Sequence, residues 1–171
     1  MQQQVAASVH LPTFGRVEDM DALDYPAAVD HPGSDQTFVV VLLHEDYLAG
    51  SVRVRCRLED VAKQYDQVRF LCVCAHDAKE TLEDTDLPIM LAYQGGKYIG
   101  SQLRVGHAEG STLTGDQIEG ILRRMNVRLT AASAMREADS AMLQRLRDLG
   151  IDNPNQADAD NDSDEERSDD R

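Results

Sequence analysis

The chain has 171 residues and a formal net charge of −14 at pH 7, which is the length of about one domain with some excess. Because nucleic-acid binding requires a basic surface, this acidic balance argues against a nucleic-acid partner. No stretch approaches the roughly 20 apolar residues of a membrane span, and the first residues lack the basic start and apolar core of a secretory signal. The three cysteines, at positions 56, 72 and 74, form no disulfide framework, so we expect a reduced, cytoplasmic protein.

The first half of the chain predicts two strand–helix alternations after a flexible arm at residues 1–13. Residues 14–20 fit a short strand, which is followed by a helix with an aspartate at its N-terminus. The continuous apolar run at residues 37–43 is typical of a strand covered on both faces. A second helix over residues 51–65 is indicated by apolar side chains that recur at spacings of four and three: Val54, Leu58, Val61 and Tyr65.

The opposite face of this second helix carries charged and polar side chains. A solvated surface is the common explanation for such a face, and a docking site for a partner is the alternative. Arg55 and Glu59 are spaced to pair one turn apart. The side chains that we single out as partner-binding candidates are Arg53, Arg57, Asp60 and Gln64.

The second half of the chain predicts a strand at residues 68–74 and a hairpin over residues 87–100. Two apolar runs flank Gly95-Gly96, and glycine supplies the positive φ of a tight turn. Pro88 stands at the first residue of the first run, where a missing N–H costs a strand little, and it is our candidate for a structural cis-proline. The glycine pair lacks the spacing and the following helix of a phosphate-binding loop.

Two further helices are indicated towards the C-terminus. Thr114 and Gln117 fit a capping box that opens a helix, and residues 131–150 form a helix-prone segment. A strand–helix alternation that ends in a hairpin and a helix predicts an α/β fold with a mixed sheet.

The last segment, residues 151–171, is an acidic tail. Nine carboxylates and two arginines from position 152 onward give it a net charge of −7, half of the total. With so little apolar surface to bury, we expect this tail to be disordered. Ser163 and Ser168 stand beside acidic residues, a pattern that acidophilic kinases accept, and they are our phosphorylation candidates; chance occurrence in an acidic tail is the alternative.

A series of short motifs spans residues 14–130: Phe14-Gly-x-Val17, Val68-Arg-Phe70, Leu87-Pro88 with Gly95-Gly96, and Leu113-Thr114. Their order and spacing resemble the phosducin family, in particular the phosducin-like branch that includes viral IAP-associated factor. The resemblance implies a thioredoxin-like fold, with a mixed central sheet of four to five strands and flanking helices. It also implies a protein without catalytic residues, cofactor or metal.

The resemblance implies a function in protein folding, as a co-chaperone that modulates the cytosolic chaperonin CCT and contacts its client proteins. Binding of G-protein βγ dimers is a second implied role. We expect that role to be weakened, because relatives have a helical region before the first motif and only 13 residues precede Phe14 here. Ser51 also stands where many relatives have a cysteine at the start of the second helix.

Thiol chemistry is the alternative from another class of function. A thioredoxin enzyme has two cysteines separated by two residues in the loop that corresponds to residues 44–51, and this loop has none. Cys72 and Cys74 face the same side of a predicted strand, so a metal, sulfenate or redox role stands beside the commoner role of core packing. We expect Cys56, two residues from the apolar stripe of its helix, to be partly buried.

The five histidines are scattered along the chain without the spacing of metal ligands, so the sequence predicts no metal site. His44 and Glu45 admit two interpretations. They could form an acid–base pair at the mouth of the fold, or they could simply be two polar residues on an exposed loop, which is the commoner case.

Overall fold

The computed structural model describes residues 12–150 of the chain. Its centre is one mixed sheet with the strand order β1-β3-β2-β4-β5. The strands are β1 (Val17–Asp19), β2 (Phe38–His44), β3 (Val68–Cys74), β4 (Ile89–Gln94) and β5 (Lys97–Gln102).

The register of the sheet explains why the second strand is apolar throughout. Strand β2 pairs with β3 in parallel and with β4 in antiparallel orientation, so it has a neighbour on each side. Val39 and Val41 pack into the core on one face, and Val40 and Leu42 pack into the core on the other. A strand buried on both faces needs a continuous apolar sequence, as the run at residues 37–43 predicted.

Helices cover both faces of this sheet. They are α1 (Tyr25–Asp30), α2 (Ala49–Gln64), α3 (Ala75–Ala78) and α4 (Gly115–Arg124), with two 3₁₀ turns at Asp84–Asp86 and Gly110–Thr112. A further helix, α5 (Ala132–Asp148), follows in the chain. The apolar stripe predicted for α2 is confirmed, since all four of its members are buried: Val54, Leu58, Val61 and Tyr65. With Ile118 and Leu122 of α4, this stripe forms the core on one side of the sheet. This topology is the predicted thioredoxin-like fold.

Two local predictions near the hairpin and the fourth helix are confirmed. The Leu87–Pro88 peptide bond is cis. Thr114 Oγ1 accepts a hydrogen bond from the backbone N–H of Gln117 at 3.3 Å, and the Gln117 side-chain oxygen accepts one from the N–H of Thr114 at 2.9 Å. These reciprocal bonds are the capping box.

The chain divides into two compact units, and the boundary between Ala134 and Met135 falls inside α5. The residues of α5 fall within the helix predicted at residues 131–150. In the second unit, the side chains of Met142 and Leu143 are exposed. Within the described part of the chain, no helix has the length and apolar character needed to cross a membrane.

Two predicted segments fall outside the described residues. These are residues 1–11 of the N-terminal arm and the acidic tail at residues 151–171, which contains Ser163 and Ser168.

Candidate functional site

The candidate site lies where the parallel strands β1, β3 and β2 end. The loop from β2 to α2 starts here, at the position that holds the dithiol in a thioredoxin enzyme. Leu43 pairs with Ile89, so the same antiparallel register extended by one residue sets Pro88 opposite His44. The predicted cis-proline is therefore at the end of the sheet where this loop begins, although the loop itself has no cysteine.

Glu45, the first residue after β2, is a buried carboxylate with three donors. Its Oε1 accepts hydrogen bonds from the backbone N–H of His76 at 2.9 Å, from His76 Nδ1 at 2.8 Å and from Cys74 Sγ at 3.3 Å. Burial alone would raise the pKa of Glu45, but the bonds from His76 and Cys74 outweigh it, so the pKa lies below its ordinary value. Glu45 is thus a charged group held inside the protein.

His76 faces an acceptor at each ring nitrogen. Nδ1 contacts Glu45, and Nε2 lies 3.1 Å from the carbonyl oxygen of Leu82 and 3.7 Å from Oδ1 of Asp84. Only the imidazolium can donate from both nitrogens at once. The hydrogen bond to Glu45 is the main cause that raises the pKa of His76.

Tyr47 extends this cluster to the surface. Its hydroxyl donates a hydrogen bond of 2.8 Å to Oδ1 of Asp84, which raises the pKa of Tyr47 to about 12. This contact joins the β2–α2 loop to the 3₁₀ turn before β4, and the Glu45–His76 pair joins the same loop to α3. The arrangement ties the loop to its neighbours, and we assign it a structural role.

The interpretation of His44 and Glu45 as polar residues on an exposed loop is wrong. His44 is the last residue of β2, and both side chains are buried. They also form no acid–base pair with each other, since Glu45 bonds to His76 while Nδ1 of His44 lies 3.4 Å from Oδ1 of Asp46. Adjacent residues of an extended chain point to opposite sides, which separates the two side chains.

The three thiols occupy different environments. Cys72 is buried in the core, as predicted, and burial raises its pKa to about 12. Cys74 is only half-buried; burial is also the main cause of its raised pKa, and the thiol donates to Glu45. Cys56 is exposed, which corrects the expectation of partial burial, because two residues on from the buried Val54 is about 200° around a helix. The two strand thiols therefore lack the lowered pKa of an activated cysteine.

The partner-binding candidates of α2 lie on its exposed face, as the helical spacing predicted: Arg53, Arg57, Asp60 and Gln64. Arg57 has contacts within the chain, because its Nε donates to the carbonyl oxygen of Leu113 at 3.0 Å and its Nη1 lies 3.6 Å from Asp60. The binding role of these residues stays a prediction.

The fold also brings together a set of metal-ligand types that sequence spacing did not reveal. One ligand atom each from Asp19, His44 and Cys72 lie within 4.8 Å of one another. Burial is the main cause that lowers the pKa of His44. Because the three residues stand on different strands, only the strand order could have indicated that they meet.

Comparison with known proteins gives one curated relative, phosducin-like protein 1 of Dictyostelium discoideum. The two sequences are 27% identical over 128 residues, which cover 73% of this chain and 40% of the relative. The chain therefore spans less than half the length of that relative. No family model matches the sequence.

Similar solved structures include the long form of thioredoxin f from spinach chloroplast, with 16% identity, a TM-score of 0.49 and coverage of 67% of this chain and 87% of the other. A mutant thioredoxin from Halobacterium salinarum NRC-1 has 10% identity, a TM-score of 0.49 and coverage of 69% and 96%. The sheet topology, the cis-proline and the similarity to phosducin-like protein 1 agree with the resemblance found in the sequence: the chain has the thioredoxin-like fold and is similar to a phosducin-like protein.

Proposed function

We propose that this chain is a non-catalytic phosducin-like protein that works in the cytoplasm as a co-chaperone of the chaperonin CCT and assists the folding of its client proteins. The observation that carries the proposal is the similarity to phosducin-like protein 1 over 128 residues. The role itself is the one that the family resemblance implies.

The chemistry of the candidate site supports a binding function over thiol catalysis. The β2–α2 loop contains no cysteine, and Ser51 in the first turn of α2 is buried and accepts a hydrogen bond from the N–H of Glu45 at 3.4 Å. The serine hydroxyl thus stabilises the loop. The neighbouring strand thiols have raised pKa values, which keep them protonated and poorly nucleophilic near neutral pH.

The exposed face of α2 is the surface that we assign to the partner. It mixes both signs of charge with a polar amide over about three turns, through Arg53, Arg57, Asp60 and Gln64. Contacts between exposed charges are weak and screened by salt, so we expect association to be stronger at low ionic strength. Phosphorylation at Ser163 or Ser168 would add negative charge to the tail and so change the electrostatic part of the association.

A binding assay with purified CCT tests the proposal. The full chain, tagged at its N-terminus, is incubated with the chaperonin at low and at moderate salt, and the complex is separated by size-exclusion chromatography. We expect co-elution that weakens as salt rises. Replacing Arg53 and Gln64 together by alanine should reduce it, whereas the exposed Lys97 on β5 provides a matched alanine control on another face. Absence of a complex at low salt would contradict the proposal.

Two further assays distinguish the alternatives. Insulin reduction measures thioredoxin-type activity, and we expect none; activity that disappears on Cys72→Ser or Cys74→Ser would replace our proposal with a redox enzyme. Binding of purified G-protein βγ dimers at micromolar affinity or tighter, without binding to CCT, would instead favour the regulatory role.

A further inference from the structure

We infer that Asp19, His44 and Cys72 form a binding site for a borderline divalent metal ion of the zinc type. The three residues offer one oxygen, one nitrogen and one sulfur ligand, all within 4.8 Å of one another. Zinc accepts this combination of ligands, and three protein ligands leave a fourth position for water. This site is independent of the proposed co-chaperone function.

The sheet fixes the backbone of all three ligands. Asp19 ends β1 and pairs with Cys72 of the adjacent strand β3. Cys72 in turn pairs with Leu42 of β2, and His44 stands two residues further along that strand, so its side chain points to the same face. The ligands therefore project from three neighbouring parallel strands, with little backbone freedom to be lost when a metal binds.

The buried side chain of His44 is a second observation that supports a metal site. Its side chain is only 8% exposed, and Nδ1 is buried without a hydrogen-bond partner among the described residues. A buried polar atom without a partner costs free energy, and a metal site can relieve that cost. A metal bound through Nδ1 would relieve that cost directly. With Nε2 as the ligand, Nδ1 would instead turn to donate to Asp46, whose Oδ1 lies 3.4 Å away, and a metal-bound histidine commonly has such a carboxylate behind it.

Two features of the site oppose metal binding, and both must change when the metal binds. Cys72 is a protonated thiol, so it must release its proton to solvent when the metal–sulfur bond forms. Asp19 accepts a hydrogen bond from Arg55 at 2.7 Å, and its carboxylate must turn from the guanidinium towards the metal. Zinc bonds of about 2.0–2.3 Å require the ligand atoms to approach one another, and the Asp19 side chain, which is 67% exposed, has room to move.

Cobalt is the probe for this site, because a thiolate bound to Co²⁺ gives a charge-transfer absorption that oxygen ligands do not produce. The full chain is titrated with Co²⁺ under a non-metal-binding reductant. We expect a band that saturates at one equivalent and disappears when Zn²⁺ is added. Carboxylates of the acidic tail cannot produce this band, so its appearance reports a thiolate ligand.

Variants assign the ligands. Cys72→Ser should abolish the band, whereas Cys56→Ser and Cys74→Ser should retain it. Asp19→Asn, at a side chain that is 67% exposed, should weaken Co²⁺ binding by about tenfold or more. Circular dichroism of each variant checks that the fold is intact.

Arg55→Gln should strengthen metal binding, whereas the preceding variants should weaken it. The substitution removes a positive charge and also the hydrogen bond that holds the Asp19 carboxylate away from the metal. We expect Co²⁺ to bind this variant several-fold more tightly than it binds the wild type, while Arg53→Gln, an exposed arginine of the same helix, should have no effect. The inference is wrong if excess Co²⁺ gives no thiolate band, or if the band survives Cys72→Ser and is lost in Cys56→Ser or Cys74→Ser. It is also wrong if Arg55→Gln fails to tighten binding.

Discussion

The Nδ1 atom of His76 lies 2.8 Å from Oε1 of Glu45, although 31 residues separate the two in the chain. This contact joins the residue that follows β2 to the short helix that follows β3. In a thioredoxin enzyme the same end of the sheet carries a reactive dithiol. In this chain it carries a buried carboxylate that is paired with a histidine.

The first prediction is that this pair makes stability depend on pH. The pKa of His76 is raised in the folded protein, so its stabilising contribution is fully present below the ordinary value of 6.5 and is lost as pH rises through the folded-state pKa. We expect His76→Gln to destabilise the protein more at about pH 6 than at about pH 8. Urea unfolding of both proteins across this range measures the difference in unfolding free energy.

The exposed His31 is the control, because His31→Gln should leave the unfolding free energy unchanged across the same range. A difference between wild type and His76→Gln that stays constant with pH would contradict the pairing of His76 with Glu45.

The second prediction concerns the capping box of α4. Thr114→Ala removes the oxygen that accepts from the Gln117 N–H, so we expect a loss of about 1 kcal/mol in unfolding free energy. Thr114→Ser keeps the hydroxyl and should retain most of that stability. Denaturant unfolding of the three proteins checks both values; an equal loss in the serine and alanine variants would show that the cap does not act through its hydroxyl.

The third prediction concerns the core. Phe70 on β3 is fully buried, and Phe70→Ala should lower the unfolding free energy by about 3–5 kcal/mol, because it removes apolar contacts and leaves a cavity. Leu23→Ala, at a side chain that is 89% exposed, should change it by less than about 0.5 kcal/mol. Chemical denaturation measures both. Similar losses in the two variants would contradict the packing described here.

The fourth prediction concerns thiol reactivity. In the native protein, Cys56 is exposed and should react first with an aromatic disulfide reagent. Cys72, buried and with its pKa raised to about 12, should react only when the protein unfolds. Cys56→Ser should therefore lose the fast phase of the absorbance change. A fast phase that persists in this variant would place a reactive thiol elsewhere.

Much of the scaffold could be predicted because its signals are local. The strand at residues 68–74 was predicted with the bounds that β3 has, and the turn at Gly95-Gly96 was given by its residue types alone. Hydrophobic spacing of three and four likewise indicated the buried face of α2, since helix periodicity depends only on neighbouring residues.

The candidate site could not be predicted in the same way. Glu45 meets His76, and Asp19 meets His44 and Cys72, only because β3 lies between β1 and β2 in the sheet. Strand order and register are long-range properties, and no spacing along the chain reports them. The loop position of Glu45 indicated an exposed residue, whereas the hydrogen bonds that make its burial tolerable come from a distant segment.

The tip of the hairpin constrains a part of the chain far from it in sequence. A Cβ atom built on Gly95, whose φ is +55°, would lie 2.7 Å from the carbonyl oxygen of Asp35. The obstacle is main chain, so no change of the side chain at position 35 could make room for a larger residue at position 95. A Gly95→Ala variant would have to shift the segment that leads into the central strand, and a compensating second substitution would have to be sought in backbone geometry.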